Sequence, residues 1–389
     1  MAAQGAADAI LVVNAGSSSI RVAVFNDNLV PQLSGLAEEI GRPGGRLRLG
    51  DRDETREMPG HEAALHALLA ALEAQGWPPG RLHAAGHRVV HGGADLTAPA
   101  RVTAAVTAAI RACIPLAPLH NPHNLAAIET LARLAPDLPQ VACFDTAFHA
   151  TNPQVATRYA VPDAIAARGI RRYGFHGLSY AALTDALPRL SGQTLPQRLL
   201  ALHLGNGASA CAVRDGRSVA TSMGYSPVEG LTMGSRAGQI DANAVLDLAE
   251  ADGIDATRRM LNRESGLKGL SGGESDMRAL LARDDAAARL AVDHFCYWAV
   301  RHAGGLIAAM GGCDAVAFTG GIGENAAEVR ARIFEGLGWL GARLDPTANQ
   351  AGGPRIAADG SALQGWIVPA EEERRIATDT LALLCAPQG

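Results

Sequence analysis

Apolar and polar positions alternate in a way that predicts two similar hairpins. Residues 10–13 form a β-type apolar run, residues 14–19 (NAGSSS) are rich in turn formers, and residues 20–25 resume a strand alternation. The same order returns in the second half of the chain, over residues 199–204, 205–209 (GNGAS) and 210–213. Two hairpins of like construction predict a duplicated domain.

The rest of the chain mixes helical and strand patterns, which predicts α/β layers. Helical patterns cover 62–75, 104–113, 243–251 and 286–309, and strand patterns cover 87–90, 141–144 and 315–319. The proline-rich segment 114–122 is predicted to be largely non-helical loop, and the polar segment 221–241 is a predicted loop. The glycine-rich sequence GGIGEN over 320–325 is predicted as a turn before a helix over 326–334. A strand, a glycine turn and a helix in this order suit phosphate binding, because backbone N–H groups and the helix dipole converge on an anion.

The 389 residues predict two domains, and the composition excludes several classes of function. With a net charge of −5, the chain has no overall positive field for a nucleic acid or an anionic membrane. We therefore expect no nucleic-acid partner and, since no uncharged run reaches about 18 residues, no membrane span. The six scattered cysteines lack zinc-site and disulfide-framework spacing, and the N-terminus lacks the pattern of a signal peptide. These features predict a cytoplasmic protein.

Lysine is almost absent, since Lys268 is the only one among 34 Lys and Arg residues. The chain therefore lacks the GxxxxGK[ST] sequence of a P-loop. GIGEN does not have GxGxxG spacing, and the HRD and DFG signatures of protein kinases are missing. A nucleotide-binding fold that uses paired hairpins and glycine turns is the remaining candidate.

Dense polar and glycine motifs stand out in an otherwise alanine-rich chain. They are NAGSSSIR from 14, GHRVVHGG from 86, PLHNPHN from 118, FDTAFH from 144, RRYGFHG from 171, HLGNG from 203, TSMGYSPVEGLTMGSRAGQID from 221, ESDMR from 274, GGIGEN from 320 and PAEEER from 369. In order and spacing, these motifs resemble the acetate kinase family from end to end.

The resemblance implies a two-lobed, duplicated ribonuclease H-like α/β fold of the actin-like ATPase class, with the active site in the interdomain cleft. One lobe would comprise residues 1–147 and 374–389, which carry the acyl and phosphate side. Residues 148–373 would form the other lobe, which binds the nucleotide and forms the interface of a homodimer.

The activity that the resemblance implies is reversible phosphoryl transfer between ATP and acetate, which gives acetyl phosphate and ADP with Mg²⁺ or alternatively Mn²⁺. Two other interpretations stay open. One is a kinase for propionate or another short-chain carboxylate, because one methylene changes discrimination by only about 1 to 3 kcal/mol. The other is a nucleotide-dependent binding module on the same fold.

The family's catalytic and substrate residues match positions in these motifs. The resemblance implies catalytic roles for Asp145, His176 and Arg236, a carboxylate-binding role for Arg88, and an apolar pocket for the substrate methyl group at Val90, Leu119, Phe175 and Pro227. Paired guanidinium N–H donors suit a carboxylate or a phosphoryl group. Acetic acid, with a pKa of about 4 to 5, is already ionised at pH 7. We therefore expect Asp145 to orient Arg236 or a Mg²⁺-bound water rather than to remove a proton.

The same resemblance implies the nucleotide and metal residues. The nucleotide groups are Ser17, Ser19, Arg21, His203, Leu204, Gly205, Asn206, Gly207, Asp276, Met277, Arg278, Gly321, Ile322, Gly323, Glu324 and Asn325; the metal ligands are Asn14 and Glu372; and His120 is a further histidine near the site. Two positions depart from the family pattern. Arg21 stands where Lys is usual, and Ala370 with Glu371 stands where Thr-Asn is usual.

Overall fold

The computed structural model describes residues 9–385 and divides the chain into two compact units. The first unit holds the chain up to Ala147 and again from Glu371, and the second holds Phe148–Ala370. The lobes expected from the sequence divide the chain at 147 and at 373, and these units divide it at 147 and at 370.

The first unit is built on an eight-stranded mixed sheet. Its strands are β1 (Ala9–Ala15), β2 (Ile20–Asn26), β3 (Pro31–Glu38), β4 (Arg46–Leu49), β5 (Arg52–Thr55), β6 (Leu82–Val89), β7 (Ala100–Arg101) and β8 (Gln140–Phe144), in the spatial order β5-β4-β3-β2-β1-β6-β8-β7. Its helices are α1 (His61–Ala74), α2 (Ala104–Ala112), α3 (Asn121–Leu134) and the last helix of the chain, α15 (Glu372–Cys385). Strand β1 is almost wholly apolar. It is buried because α1 and α3 belong to the same hydrophobic core and α15 also packs against it.

The second unit contains a five-stranded sheet. Its strands are β9 (Arg198–Leu204), β10 (Ala208–Arg214), β11 (Arg217–Thr221), β12 (Ala315–Thr319) and β13 (Gln364–Ile367), in the order β11-β10-β9-β12-β13. Its helices are α4 (Gln154–Thr157), α5 (Asp163–Ala166), α6 (Gly177–Ser191), α7 (Ala242–Asp252), α8 (Ile254–Arg259), α9 (Gly266–Ser271), α10 (Met277–Leu281), α11 (Ala286–Met310), α12 (Gly320–Asn325), α13 (Ala327–Glu335) and α14 (Pro346–Gln350).

The two sheets share one five-stranded arrangement, which confirms the predicted duplication. In the first unit, β3-β2-β1 are antiparallel neighbours, and β1, β6 and β8 run parallel. In the second, β11-β10-β9 are antiparallel, and β9, β12 and β13 run parallel. Both hairpins predicted from the sequence occupy the same place in this arrangement. Within residues 9–385, no helix is both long and apolar enough to cross a bilayer.

The structure confirms one local prediction and corrects two. The 114–122 segment is largely non-helical, with a short 3₁₀ turn at Ile114–Leu116; α3 begins at Asn121, with Pro122 where no helical N–H bond is required. The strand expected at 87–90 begins at Leu82, because residues 82–87 pair with β1. The glycine turn expected over 320–325 is the helix α12. Its Gly320 N–H donates to the Glu324 side chain of the same helix, and its Gly323 carbonyl accepts from Arg330.

Candidate active site

In the first unit, the ends of β6 and β8 bring Arg88 and Asp145 together. Arg88 pairs in register with Cys143, and Asp145 follows β8 directly. The Nε of Arg88 donates to the two carboxylate oxygens of Asp145 at 3.1 and 3.2 Å, and its Nη2 donates to Oδ2 at 2.7 Å. Asp145 is 2% exposed, whereas the Arg88 side chain keeps 22% of its exposure. This is a fork-like pair that holds the guanidinium in one plane.

The N-terminal end of α15 adds acidic charge around the same arginine. A Cβ on Gly86 would lie 2.3 Å from Thr380 Oγ1 and 2.6 Å from Ile376 Cγ2, so β6 and α15 pack in direct contact only because residue 86 is glycine. Glu372 lies one turn before Ile376. Burial alone would lower the pKa of Arg88, but the charges of Asp145, Glu372 and Glu373 raise it above its ordinary value.

The predicted metal ligands suit a hard cation. Asn14 lies near the end of β1 opposite Arg21, and Glu372 begins α15, which packs on the same strand. Both side chains offer oxygen, and both are half-buried. Among the described residues, no three His, Cys, Asp or Glu side chains form a metal cluster. A site with few protein oxygens fits Mg²⁺, which keeps several waters and binds phosphate oxygens.

The turn between β1 and β2 places the predicted phosphate donors. Gly16 N–H donates to the Ser19 carbonyl at 2.8 Å, which closes the turn. Ser17 and Arg21 are exposed, and Ser19 is half-buried. The serine hydroxyls and Arg21 therefore lie at the surface of the first unit, where an anion can reach them.

Two asparagines of α3 were missed as positioning residues. Asn121 exchanges two hydrogen bonds with the backbone of His91, both at 3.0 Å. Asn124 accepts from Val90 N–H at 3.1 Å and donates to the Ala15 carbonyl at 2.7 Å, so it joins the ends of β6 and β1. The HNPHN sequence could have indicated this role. Its two asparagines are three residues apart, on one face of a helix, and buried asparagines require hydrogen-bond partners such as backbone groups. Of the other predicted residues nearby, His120 occupies the N-cap position of α3, Val90 is buried and Leu119 is 39% exposed.

In the second unit, His176 occupies a strained position at the start of α6. Its φ of 58° and ψ of 23° place a non-glycine residue in the left-handed region. Its Nδ1 lies 2.9 Å from Ser209 Oγ, and its ring stacks on that of His203 with centroids 4.1 Å apart. The His203 Nδ1 in turn lies 2.8 Å from Ser179 Oγ. Two predicted histidines therefore form one stacked pair with a hydroxyl group behind each ring.

Arg236 lies beside the GNG turn between β9 and β10, next to His176. A Cβ on Gly207 would lie 3.3 Å from Arg236 Nη1 and 3.4 Å from His176 Nε2, so both nitrogens border the space beside this glycine. Arg236 Nη1 also donates to the Pro227 carbonyl at 3.2 Å. The adjacent Phe175 is 1% exposed, and its carbonyl contacts His149 Nε2 at 2.9 Å. The structure thus places two predicted catalytic residues, His176 and Arg236, beside Gly207.

The loop that carries Pro227 and Arg236 is anchored by residues that sequence reasoning missed. Glu229 accepts from the Tyr159 hydroxyl at 2.5 Å and pairs with Arg172 Nη1 at 2.8 Å. Burial, with the neighbouring Glu229 carboxylate, raises the pKa of Tyr159 to about 12. A Cβ on Gly224 would lie 1.7 Å from Glu229 Oε2, so this packing requires glycine.

A pocket of about 520 Å³ in the second unit collects eight of the thirteen nucleotide residues predicted in this unit. It is lined by Gly205, Asn206, Ser275, Asp276, Met277, Arg278, Gly321, Ile322, Asn325 and Ala326. The predictions omitted Ser275 and Ala326, which flank assigned residues. The other assigned residues of this unit, His203, Leu204, Gly207, Gly323 and Glu324, are not among the residues that line it.

Two of those residues contribute to the backbone of α12. Glu324 Oε1 accepts from Gly320 N–H at 3.0 Å and from Ala370 N–H at 3.1 Å. Arg330, which is 1% exposed, donates from Nη1 to the carbonyls of Gly323 and Glu324 at 3.0 and 2.8 Å. Its Nε and Nη2 donate to Asn349 at 2.8 and 2.7 Å. Arg330 therefore caps the last carbonyls of the short helix that borders the pocket.

Comparisons with known proteins agree with this geometry. The model of the acetokinase family matches residues 9–378. Proteins named acetate kinase from Rhodopseudomonas palustris and Deinococcus deserti are 47% and 46% identical, over 95% and 97% of this chain and 97% and 98% of theirs. The crystal structure of Porphyromonas gingivalis acetate kinase has a TM-score of 0.89 at 34% identity and covers 97% of this chain and 100% of that chain. A propionate kinase from Francisella tularensis has a TM-score of 0.91 at 34% identity, with 96% and 98% coverage.

Proposed function

Because the chain belongs to the acetokinase family, we propose that it catalyses reversible phosphoryl transfer between ATP and acetate, with acetyl phosphate and ADP as the other pair. The observation that carries this proposal is the position of the GNG turn. Gly205 and Asn206 line the nucleotide pocket, and Gly207 faces Arg236 and His176. One three-residue turn thus links the pocket to two groups that can stabilise a phosphoryl group.

The chemistry requires charge stabilisation more than proton transfer. An oxygen of the acetate carboxylate attacks the γ-phosphorus, the bond from that phosphorus to the β–γ bridging oxygen breaks, and ADP leaves. Arg236 and His176 would donate hydrogen bonds to the equatorial oxygens, where negative charge develops. Arg88 would bind the carboxylate, and Asp145 would hold Arg88 in the orientation that this requires. Acetate carries no proton at pH 7, so Asp145 has none to remove.

We propose Mg²⁺ as the metal, with Asn14 and Glu372 as its protein ligands, direct or through water. When bound, the ion would neutralise phosphate charge during transfer. The charge of Glu372 acts on Arg88, and Asn14 follows Val13, which pairs with His87 beside Arg88; both positions support this assignment.

The test is formation of acetohydroxamate from ATP, acetate and hydroxylamine, which traps the acyl phosphate. Product that depends on acetate and on Mg²⁺ is the expected result. A folded protein that binds ADP yet forms no hydroxamate from any short-chain carboxylate would contradict the proposal, and it would favour a nucleotide-dependent binding module.

A second candidate substrate is propionate, since the Francisella propionate kinase is as similar in structure and identity as the Porphyromonas acetate kinase. The ratio of kcat/KM for acetate, propionate and butyrate decides between them. We expect acetate to lead by about tenfold, because one added methylene in an apolar pocket changes the barrier by about 1 to 3 kcal/mol.

We further propose a cytoplasmic homodimer. Several large apolar side chains of the second unit are exposed, namely Leu246, Ile254, Leu290, Tyr297 and Trp339. All six cysteines, which lie within residues 9–385, are free thiols, as a reducing compartment favours. Light scattering after gel filtration and cell fractionation test the two statements separately.

A further inference from the structure

The hydroxyl groups behind His176 form a chain into the core of the second unit. Ser209 Oγ lies 2.9 Å from His176 Nδ1 and 2.5 Å from the Tyr180 hydroxyl. Both Ser209 and Tyr180 are fully buried, and neither belongs to the residues assigned above to substrate, nucleotide or metal. Buried hydroxyl protons need acceptors, because an unpaired donor costs about 1 to 3 kcal/mol.

The direction of these hydrogen bonds follows from the protons available. Burial raises the pKa of Tyr180 well above its ordinary value, so the phenol keeps its proton. Tyr180 must therefore donate this proton, and Ser209 Oγ is the side-chain acceptor within hydrogen-bond distance among residues 9–385.

Ser209 then has its own proton to place. With its oxygen already accepting from Tyr180, its O–H can be satisfied by donating to His176 Nδ1. A ring nitrogen that accepts carries no hydrogen, so the remaining ring proton of the neutral imidazole is on Nε2. That nitrogen is the one that borders Gly207 beside Arg236.

We propose that Tyr180 and Ser209 are positioning residues that hold His176 as its Nε2–H tautomer, with the hydrogen directed toward the transferred phosphoryl group. This inference rests on the proposed phosphoryl transfer. Imidazole in the other tautomer would present a lone pair to a phosphate oxygen, which repels it. The two hydroxyls thus select the donor state before substrate arrives.

A neighbouring pair supplies a matched control. Ser179 Oγ lies 2.8 Å from Nδ1 of His203, the ring stacked on His176. Ser179→Ala removes a buried hydroxyl from the adjacent histidine and leaves the Tyr180–Ser209 chain intact. Any effect should therefore act through His203 on KM for ATP, with kcat changed by less than about twofold.

The kinetic test compares Ser209→Ala, Ser209→Thr and Tyr180→Phe with Ser179→Ala in the hydroxamate assay. Ser209→Ala should lower kcat about tenfold, the factor expected for loss of one orienting hydrogen bond, with KM for ATP and acetate within about twofold. Ser209→Thr keeps the hydroxyl and should retain most of the activity, and Tyr180→Phe should fall between them. Equal losses in Ser209→Ala and Ser179→Ala would overturn the proposal.

Nitrogen-15 NMR of the histidine rings tests the tautomer without turnover. In the free wild-type protein, His176 assigned by comparison with His176→Gln should show a protonated Nε2 and an unprotonated Nδ1, and Ser209→Ala should show both tautomers. A protonated Nδ1 in an active wild-type enzyme overturns this inference and leaves the proposed function standing. The Nε2–H tautomer in a protein that forms no acyl phosphate would instead sink the proposed function, and the inference that rests on it.

Discussion

Replacement of Asp145 by Asn tests the pair that this residue forms with Arg88 in the first unit. The carboxylate accepts three contacts from Arg88 between 2.7 and 3.2 Å. The amide in Asp145→Asn would have the same shape but only one acceptor oxygen. One hydrogen bond from Arg88 to a charged oxygen is therefore lost, and the remaining one goes to a neutral oxygen. Charged hydrogen bonds contribute about 1.5 to 3 kcal/mol and neutral ones about 1 kcal/mol. The expected loss is therefore about 2 kcal/mol, or about 30-fold in a rate constant.

The assay is hydroxamate formation with acetate varied at saturating ATP and Mg²⁺. For Asp145→Asn we expect kcat/KM for acetate to fall about 30-fold, with KM for ATP nearly unchanged. Asp379→Asn is the control, because Asp379 accepts from Arg375 Nη2 at 2.9 Å in the same unit but has no assigned role in the reaction. It should leave kcat/KM within about twofold.

The outcome separates two roles for Asp145. A loss that excess Mg²⁺ reverses would assign the carboxylate to a metal-bound water, and a loss that persists assigns it to Arg88. Full turnover of Asp145→Asn at both limiting and saturating Mg²⁺ would refute both roles.

Three further predictions concern the metal, the nucleotide pocket and pH. Glu372→Gln should raise the Mg²⁺ concentration for half-maximal activity about tenfold, whereas Glu373→Gln should not, and equal shifts in a Mg²⁺ titration would contradict the metal assignment. Arg330→Lys should raise the Kd of ADP about tenfold by calorimetry, because an ammonium cannot serve the carbonyls of Gly323 and Glu324 together with Asn349, and an unchanged Kd would refute this. Burial lowers the pKa of His149 from 6.5 to about 4, so the unfolded chain binds this proton first as pH falls. The neutral His149 ring contributes up to about 3 kcal/mol to the free energy of unfolding, a contribution that is present above about pH 6.5 and lost toward pH 4. The urea midpoint of unfolding should therefore fall between about pH 6.5 and pH 4, and it should fall less in His149→Gln.

The hairpins could be predicted from the sequence because their signals are local. In β1–β2 and β9–β10, apolar alternation flanks glycine and serine or asparagine turns, and both hairpins form as expected. The start of β6 could not be predicted, because residues 82–86 (LHAAG) have weak strand preference and become a strand by pairing with β1. Helix α12 is a similar case. Its glycines disfavour a helix, and the side chains of Glu324 and Arg330 support its backbone with hydrogen bonds.

The candidate site shows the same division. Asp276, Met277 and Arg278 could be placed near Gly321 from motif resemblance, and they line one pocket with it. Arg330 could not be found in this way, because an arginine on a short amphipathic helix ordinarily faces solvent. Its burial depends on Asn349, which is distant in sequence.

The near absence of lysine matters physically at two arginines, Arg88 and Arg330. Arg88 is surrounded by carboxylates, whose charges raise its pKa and hold its plane. Arg330 is buried against neutral oxygens of α12 and Asn349, and burial lowers its pKa. A lysine in the second environment would have a strong tendency to lose its proton, and in the first it could not form the paired contacts with Asp145. A guanidinium keeps its charge in both, so this chain can hold one cation beside its acidic cluster and bury another beneath its proposed nucleotide pocket.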